Sequence, residues 1–445
     1  MKFQVKDILK ITEGKLLGDS EKKFFISTDT RTISPDEIFL PLVGANFNGH
    51  DFIETALNKG CFGYFTDKNH KDKANFHPDR AKFVIEVENT LEAYLKLANF
   101  KRNKINPIVI AVTGSSGKTT TKEMIFSVLS QQYKTHKSNL NHNNEVGLCQ
   151  TLLGMPDDTE FLVVEMGMRA LGEIEILSKY AEPDIAVITN IGPAHIGKLG
   201  SIENIARAKC EISKYLNKNG VIIAYNDPLI KKYLDWNRKI IYYSLNNSKD
   251  SEFIYKNNSY KLSVSGEYNI TNSLAAIEIG LLYNISPETI NKGLIQYRPI
   301  DNRWQIIELF NNIKLINDSY NANPDSVKAS VNAMISSYPE SKIILVLGDM
   351  AELGEYTDFY HREIGKFLND KPIFELITVG EKAKLITETI KNNKIKIKSF
   401  TQNNEVVEYF INNFNKQANS AVLLKASRCM RFENIVEQLQ RNKPC

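Results

Sequence analysis

A glycine-rich loop near residue 115 combines the residue types and spacing that bind phosphate. It reads Thr-Gly-Ser-Ser-Gly-Lys-Thr-Thr over residues 113–120, follows the apolar run Ile108–Val112 and precedes a helical stretch from about Thr121. Glycines permit a tight turn whose N–H groups point at phosphate oxygens, and a helix N-terminus adds its positive dipole end. Lys118 is placed to reach the β- and γ-phosphates of ATP, and the Thr119 hydroxyl to reach Mg²⁺. The predicted ATP contacts of the loop are Gly114, Ser115, Ser116, Gly117, Lys118, Thr119 and Thr120.

One position departs from the common form of such a loop. That form has a glycine five residues before Gly117, and this chain has Val112 there. A glycine-rich surface turn with an exposed lysine is the alternative interpretation. The strand before the loop and the helix after it are the context that a phosphate loop requires, so the sequence favours ATP binding.

Further polar groups follow other strand-like runs. Glu165 comes directly after Phe161–Val164, and His195 comes a few residues after Ile185–Ile188. In an open parallel sheet, ligands bind outside the carboxyl ends of the strands, so these side chains are expected near Thr119. Mg²⁺ prefers oxygen ligands, which favours Glu165 as a metal ligand. A lone histidine is more often structural, and its place at a strand end shifts the balance only modestly toward a ligand.

Lys209 is the lysine with the most unusual setting. A helix is predicted over Ser201–Leu216, and Lys209 falls on the face that also carries the apolar residues of this helix. Most lysines lie in solvent, and an inward ammonium beside Mg²⁺ would be repelled. A carbamate on the lysine would instead offer oxygen ligands to the metal. The sequence leaves both alternatives open for Lys209, a surface lysine or a carbamylated metal ligand.

Two later stretches are interpreted as nucleotide contacts. A predicted helix begins near residue 269, where asparagines either contact a base or cap the helix. The stretch Asp318–Pro324 follows the apolar run Lys314–Asn317. A carboxylate there can bind ribose hydroxyls, and asparagine and proline there can equally form a plain turn. The predicted contacts are Asn269, Asn272, Asp318 and Asn323.

Short apolar runs that alternate with amphipathic stretches must position these groups. Each run is followed by a loop rich in Gly, Asn or Pro and then by a helix, which is typical of doubly wound α/β domains with a mostly parallel sheet. The predicted strands of the first set are Ile108–Val112, Phe161–Val164, Ile185–Ile188 and Val221–Ala224. Those of the second set are Ile343–Leu347, Leu376–Val379 and Ala421–Leu424.

Polar stretches divide the chain into three predicted domains. The length of 445 residues is enough for about three domains of usual size. Asn103–Pro107 and Tyr297–Arg303 suit linkers, and the first hundred residues carry shorter strands and closely spaced glycines. We predict a small α/β N-terminal domain over 1–103, a central ATP-binding α/β domain over 104–298, and a Rossmann-like α/β C-terminal domain over 299–445.

Composition excludes several classes of protein. A net charge of +4 with interspersed acidic and basic residues does not indicate a nucleic-acid partner. The N-terminus lacks the apolar segment of a signal peptide, and no run of about 18 apolar residues is present to span a membrane. The five cysteines are scattered, so neither a disulfide framework nor a metal cluster is predicted. We expect a cytoplasmic protein with no nucleic-acid or membrane partner.

Five stretches together are far more specific than the phosphate loop alone. They are Glu165–Ile174, Thr189–His195, Ala206–Ile212, Asp318–Pro324 and Leu347–Gly354. In these stretches the chain resembles the Mur ligases, ATP-dependent amide-forming enzymes of peptidoglycan synthesis, over essentially its whole length. The resemblance implies that ATP phosphorylates the terminal carboxylate of UDP-N-acetylmuramoyl-tripeptide, and that the amine of D-alanyl-D-alanine displaces phosphate from the resulting acyl phosphate. It also implies a monomer.

The resemblance assigns roles to particular residues. Lys118 would neutralise the γ-phosphate, Arg303 would approach it on domain closure, and Glu165, His195 and carbamylated Lys209 would hold metal ions with Thr119. By the same resemblance, segments of the first domain match the region that holds the UDP-sugar. A loop after residue 142 matches one beside the substrate carboxylate, and a segment near residue 427 matches one near the dipeptide. The implied substrate contacts are Asp29, Thr30, Arg31, Asn46, Asn48, Gly49, His50, Asn143, Asn144, Glu145, Lys425, Ser427 and Arg428.

Some positions depart from the family pattern, and other functions remain open. Ser138, Cys210, Asn302 and Ala426 stand where the family usually has glycine, and none of them removes a chemical group. Another ligase of the superfamily, such as the one adding the third stem residue or folylpolyglutamate synthase, is one alternative. A non-catalytic nucleotide switch is the other. The stretches Asp318–Pro324 and Leu347–Gly354 argue against both related ligases. Residues of the metal-binding type at several strand ends argue against a switch.

Overall fold

Three sheets follow one another along the chain. The computed structural model describes residues 1–44, 46–73, 81–139, 142–245, 251–309, 311–413 and 418–441. These residues form three six-stranded sheets and one two-stranded hairpin. The predicted α/β class with a mostly parallel central sheet is confirmed. Within the described ranges, no helix is both long enough and apolar enough to cross a membrane.

The first sheet is mixed. Its strands are β1 (Phe3–Gln4), β2 (Lys15–Gly18), β3 (Lys23–Ser27), β4 (Glu37–Phe39), β5 (Gly63–Asp67) and β6 (Phe83–Val87). The accompanying helices are α1 (Val5–Thr12), α2 (Ile53–Asn58) and α3 (Thr90–Ile105). The strand order is β1-β3-β4-β5-β6-β2. Strands β3 to β6 are parallel, and the edge strands β1 and β2 run antiparallel to their neighbours.

The central sheet is parallel throughout, in the order β12-β11-β10-β7-β9-β8. Its strands are β7 (Ile108–Thr113), β8 (Thr135–Lys137), β9 (Phe161–Glu165), β10 (Ile185–Ile188), β11 (Val221–Tyr225) and β12 (Lys239–Tyr243). The hairpin is β13 (Glu252–Tyr255) and β14 (Asn258–Lys261). The helices are α4 (Lys118–Leu129), α5 (Glu145–Gly154), α6 (Glu173–Ala181), α7 (Ile196–Leu199), α8 (Ile202–Cys210), α9 (Pro228–Tyr233), α10 (Glu267–Leu282) and α11 (Pro287–Gln296).

Strand β7 is apolar at every position from Ile108 to Val112. Successive side chains of a strand point to opposite faces of the sheet. Val109 and Ala111 join a core that contains residues of α5, α6 and α8, whereas Ile110 and Val112 join a second core with residues of α4 and α10. Helices therefore cover both faces, as parallel sheets require.

The C-terminal sheet has the order β15-β16-β20-β17-β18-β19. Its strands are β15 (Gln305–Glu308), β16 (Lys314–Asn317), β17 (Lys342–Gly348), β18 (Glu375–Val379), β19 (Lys396–Phe400) and β20 (Ser420–Lys425). The helices are α12 (Pro324–Ser337), α13 (Thr357–Leu368), α14 (Lys384–Thr387), α15 (Asn403–Asn413) and α16 (Glu433–Arg441). Only β15 pairs antiparallel.

The predicted strands are all confirmed, most with one or two added residues. The helix predicted over Ser201–Leu216 is wrong in its second half. Helix α8 ends at Cys210, and a 3₁₀ turn follows. The Ser213 hydroxyl donates to the Cys210 carbonyl at 2.8 Å, and the Glu211 carboxylate accepts the Gly172 N–H at 2.9 Å. These side-chain bonds favour the tighter turn over a continued helix.

One of the two predicted linkers is largely wrong. Helix α3 continues to Ile105, so only Asn106 and Pro107 separate it from β7. The other predicted linker, Tyr297–Arg303, contains neither helix nor strand and stays a prediction. The division into residues 1–103, 104–298 and 299–445 remains a proposal.

Two consecutive basic residues attach α3 to the central domain. The Lys101 ammonium donates to the carbonyls of Leu153 and Met155, at the end of α5. The Arg102 guanidinium donates to the carbonyls of Ala181 at 3.1 Å and Glu182 at 2.8 Å, at the end of α6. Positive charge at a helix C-terminus satisfies its last carbonyls and complements its dipole. Both side chains are buried.

Replacing Arg102 by alanine tests this attachment. Arg102→Ala leaves two carbonyls without their charged donor, so we expect the free energy of unfolding to fall by about 2–3 kcal/mol. Lys104→Ala, on the exposed side of the same helix, should change it by less than about 0.5 kcal/mol. Urea unfolding of both full-length variants measures the effect, and equal stability of the two would contradict it.

Candidate active site

The glycine-rich loop connects the middle strand of the central sheet to α4. Gly117 lies at its end with a φ of +77°. A Cβ on this residue would lie 2.2 Å from Asn272 Oδ1, so the position requires glycine and lets α10 approach the loop. The Lys118 ammonium donates to the Gly114 carbonyl at 2.8 Å, across the mouth of the loop. The predicted strand–loop–helix context is confirmed.

Glu165 lies beside this loop because β9 pairs with β7. The register places Glu165 opposite Val112, one residue before the end of β7. The Thr119 hydroxyl donates to Glu165 Oε2 at 2.7 Å, and the Asn143 amide donates to Oε1 at 3.0 Å. The Ser138 hydroxyl accepts the Glu165 N–H at 3.0 Å. The carboxylate is thus buried and held at both oxygens.

The charges around Glu165 favour its ionised form. Burial alone would raise the pKa of Glu165, but the positive charges of Lys118, Arg303 and Lys122 and the hydrogen bond from Thr119 lower it below its ordinary value. Burial also lowers the pKa of Lys118, an effect that the Glu165 carboxylate opposes and Arg303 reinforces. An ionised carboxylate and a hydroxyl at one place are oxygen donors of the kind that Mg²⁺ prefers.

Lys209 lies beneath the loop, as its position on the inner face of α8 predicted. Its side chain is only 2% exposed, and its ammonium nitrogen donates to the Gly114 carbonyl at 2.9 Å. Burial and the nearby charge of Lys118 hold the pKa of Lys209 well below its ordinary value. The direction of this shift favours the neutral amine, which is the form that reacts with carbon dioxide.

His195 lies at the third strand end, after β10. It begins α7 with a left-handed φ of +64°, and its Nδ1 lies 2.6 Å from Oε2 of Glu352. Glu352 belongs to the C-terminal domain, in the loop after β17. The adjacent His195 ring lowers the pKa of Glu352 against the effect of burial. The donors at the three strand ends therefore fit a cation, with Lys209 contributing only after modification.

One cavity of about 950 Å³ joins the central and C-terminal domains. It is lined by most of the predicted nucleotide, metal and peptide contacts. These are Ser115, Ser116, Gly117, Lys118, Thr119, Thr120, Asn143, Asn144, Glu145, Glu165, His195, Asn269, Asn272, Arg303, Asp318, Asn323, Lys425, Ser427 and Arg428. Gly114 and Lys209 lie behind this lining, and the predicted contacts of the first domain do not reach it.

The C-terminal wall of the cavity is built around the loop that begins at Asp318. The Arg303 guanidinium stacks on the Tyr320 ring, 4.0 Å from its centroid. Lys425 lies 2.7 Å from Asp318 Oδ2 and also donates to the Asn321 carbonyl at 3.0 Å. The Ser427 hydroxyl accepts the Ala351 N–H at 2.7 Å. Lys425 and Ser427 thus already hold protein groups. Arg428 is exposed and forms an ion pair with Glu433 at 3.0 Å.

The asparagines of this wall and of α10 divide between capping and other roles. Asn323 caps α12, since its Oδ1 accepts the Ser326 N–H at 2.8 Å, and its nucleotide role stays a prediction. Capping is wrong for Asn269 and Asn272, because α10 begins after Gly266. Asn269 instead donates to the Ser265 carbonyl at 2.7 Å.

The loop beside Glu165 also has structural roles. Asn144 caps α5 through the Gly147 N–H at 3.0 Å, and Glu145 is the first residue of that helix. Of the three predicted substrate contacts in this loop, only Asn143 forms a hydrogen bond with the Glu165 carboxylate.

The predicted UDP-sugar contacts belong to two segments of the first domain. The Arg31 guanidinium donates to both carboxylate oxygens of Asp29, and its backbone N–H donates to Oδ1. These bonds lower the pKa of Asp29 to about 2. Asn48 accepts the His50 N–H at 3.0 Å. Thr30 is half-buried and Asn46 exposed, while Gly49 is buried. Their role remains a prediction.

Two residues that hold the phosphate loop had no predicted role. Asn190 Oδ1 accepts the N–H groups of Ser115 at 3.1 Å and Ser116 at 2.9 Å. The Thr189 hydroxyl donates to the Ser116 carbonyl at 2.6 Å. Both directly follow β10, so the strand-end rule that singled out His195 also applies to them.

Three family models, each for one Mur ligase domain, match successive parts of the chain. The Mur ligase family, catalytic domain, covers residues 24–102; the Mur ligase middle domain covers 112–280; and the Mur ligase, glutamate ligase domain, covers 302–428. The UDP-N-acetylmuramoyl-tripeptide–D-alanyl-D-alanine ligase of Bacillus subtilis is 37% identical, over 99% of this chain and 98% of its own length.

Solved structures agree with these matches. MurF from Acinetobacter baumannii has a TM-score of 0.90 at 28% identity, over 99% of both chains. The MurF ligase from Thermotoga maritima in complex with ADP has a TM-score of 0.82 at 26% identity, over 94% of this chain and 97% of its own. With family domains matched in order and relatives aligned over the full length, the chain belongs to the Mur ligase family.

Proposed function

We propose that the protein is an ATP-dependent ligase that joins D-alanyl-D-alanine to UDP-N-acetylmuramoyl-tripeptide in cytoplasmic peptidoglycan precursor synthesis. The observation that carries the reaction type is the cavity in which Lys118, Thr119 and Glu165 face Arg303 and Asp318. The full-length relatives supply the identity of the two substrates. The same relatives argue against the ligase for the third stem residue and against folylpolyglutamate synthase.

The reaction is a phosphoryl transfer followed by an acyl transfer. The terminal carboxylate of the tripeptide attacks the γ-phosphorus of ATP, and ADP leaves. The dipeptide amine then attacks the acyl carbon, loses a proton, and expels inorganic phosphate as the amide forms. Phosphoryl transfer needs positioning and charge neutralisation more than a protein nucleophile. Lys118 and Arg303 supply positive charge from opposite walls of the cavity.

Mg²⁺ would be held by Thr119, Glu165, His195 and carbamylated Lys209. When bound, it supplies charge that stabilises the phosphate oxygens. Glu165 is kept ionised for this role by its neighbours. The Lys209 amine attacks carbon dioxide and releases one proton, which gives an anionic carbamate in place of the hydrogen bond to Gly114.

The two substrates would bind at different places. Asp29–Arg31 and the segment from Asn46 to His50 would bind the UDP-sugar, and Arg428 would bind the dipeptide. The protein would act as a monomer.

The choice of amine separates this proposal from its alternatives. With ATP, Mg²⁺ and the UDP-tripeptide, we expect D-alanyl-D-alanine to stimulate ADP release and to give an amide product detectable by mass spectrometry. Glutamate and single amino acids should not stimulate it. Release with glutamate alone would favour folylpolyglutamate synthase, and ATP binding with no amide product would favour a nucleotide switch.

Lys118 tests the role of the phosphate loop. Lys118→Ala removes the charge nearest the γ-phosphate, so we expect turnover to fall by about 10³-fold or more. Binding of the UDP-substrate, measured by calorimetry, should persist because its contacts are proposed in the first domain. Lys179→Ala, an exposed lysine of α6, is the control with normal turnover. Near-normal turnover of Lys118→Ala would contradict the role.

Carbon-13 labelling and substitution of Lys209 test whether this lysine is carbamylated. Carbon-13 bicarbonate should give a carbamate resonance in the wild-type protein that Lys209→Arg lacks. Because the pKa of Lys209 is lowered, the neutral amine is present below the pH at which ordinary lysines lose their proton, and its fraction rises with pH. We expect Lys209→Arg to lose about 10²-fold or more in turnover. Full activity of Lys209→Arg would rule out the metal role.

A further inference from the structure

A contact between two domains holds one of the proposed metal ligands. His195 belongs to the central domain, yet its Nδ1 lies 2.6 Å from Oε2 of Glu352 in the C-terminal domain. Both side chains line the cavity. They are partly exposed, at 21% for His195 and 34% for Glu352, so the pair is reachable from the cavity and not closed within a core.

The backbone around this pair fixes the position of Glu352. The Gly197 N–H donates to the Glu352 carbonyl at 3.0 Å. A Cβ on Gly197 would lie 2.3 Å from the Gly354 nitrogen, so the two backbones touch without intervening side chains. The Tyr356 hydroxyl donates to the Gly200 carbonyl at 2.9 Å, on the other side of α7. The loop that carries Glu352 is thus seated against the segment that carries His195.

The Glu352 loop is also anchored within its own domain. The Met350 N–H donates to His361 Nε2 at 3.0 Å, and the Ala351 N–H donates to the Ser427 hydroxyl at 2.7 Å. The loop therefore moves with the C-terminal domain as a unit. Since Glu352 and His195 come from different domains, their contact exists only where those domains are docked.

Imidazole chemistry gives this contact a consequence at the metal. His195 Nδ1 is buried and makes no aligned hydrogen bond in the described structure, although Oε2 of Glu352 lies 2.6 Å away. Once the ring turns so that Nδ1–H donates to this carboxylate, the ring orientation and the tautomer are fixed, and Nε2 keeps its lone pair for a metal. We propose that Glu352 is a positioning residue that orients His195 toward Mg²⁺, so that docking of the C-terminal domain completes the metal site. This inference rests on the metal role given to His195 in the proposed function.

Mn²⁺ binding is a readout that does not depend on turnover. Electron paramagnetic resonance of the full-length protein, with a non-hydrolysable ATP analogue and the UDP-tripeptide, measures the Mn²⁺ dissociation constant. Removal of a carboxylate behind a histidine ligand commonly costs about 10–100-fold in metal affinity. We therefore expect Glu352→Ala to weaken Mn²⁺ binding by about 10-fold or more. Glu352→Gln, whose amide oxygen still accepts the Nδ1–H, should recover part of this loss.

Tyr356→Phe is the matched control. It removes a hydrogen bond across the same domain interface without touching His195, so Mn²⁺ affinity should stay at the wild-type value. Circular dichroism and thermal unfolding verify that each variant is folded. In steady-state kinetics, Glu352→Ala should raise the half-saturating Mg²⁺ concentration and leave the KM for D-alanyl-D-alanine unchanged.

His195→Ala separates failure of this inference from failure of the proposed function. If His195→Ala weakens Mn²⁺ binding and Glu352→Ala does not, the positioning role is overturned and the proposed function stands. If His195→Ala also binds Mn²⁺ normally, the metal role of His195 is overturned together with this inference. A loss in Tyr356→Phe equal to that in Glu352→Ala would assign the effect to domain docking alone and would also overturn it.

Discussion

The parallel pairing of β7 with β9 on one side and β10 on the other is the constraint on which the active site depends. Parallel strands in register end at the same edge of a sheet, so three loops leave that edge together. Val112 pairs with Glu165, and Thr113 pairs with Ile188. The phosphate loop, the acidic residue and the histidine are therefore neighbours, although they are far apart in sequence. No side chain needs to reach across the sheet.

Two lysines, Lys118 and Lys209, lie close together at this edge of the sheet, where burial makes positive charge unfavourable. Lys118 and Lys209 both donate to the single carbonyl of Gly114. Two ammonium groups on one acceptor repel each other, and burial adds to the cost of their charge. Burial lowers the pKa of both lysines, and the charge of Lys118 lowers that of Lys209 further. The positive charges of Lys118, Arg303 and Lys122 in turn lower the pKa of Glu165. This distribution of charge suits the negative charge of a nucleotide.

Features that depend on a local sequence pattern could be predicted from the sequence. Apolar runs located the strands, and the strand-end rule then located Thr119, Glu165 and His195. Helical periodicity predicted that Lys209 faces inward, even though the helix itself is shorter than expected. Asn302 stands where the family has glycine, and the structure explains this, because the residue adopts a φ of +62° that asparagine tolerates better than most residues.

Partners set by domain docking could not be predicted in the same way. The contact of Glu352 with His195 joins residues more than a hundred positions apart, and nothing in either local pattern indicates it. Lys425 and Ser427 matched a substrate segment, yet their polar atoms hold the Asp318 and Ala351 loops. Such pairings depend on the long-range arrangement of the C-terminal sheet against the central one.

The attachment of α3 through Lys101 and Arg102 has a consequence for how the molecule loses its structure. If the first domain opened alone, the carbonyls at the ends of α5 and α6 would lose their buried donors, and the apolar face of α3 would lose its contact with the central domain. Local opening is unfavourable where it uncovers such groups. The first and central domains should therefore unfold as one cooperative unit, and hydrogen exchange in α3 should follow that of the central sheet.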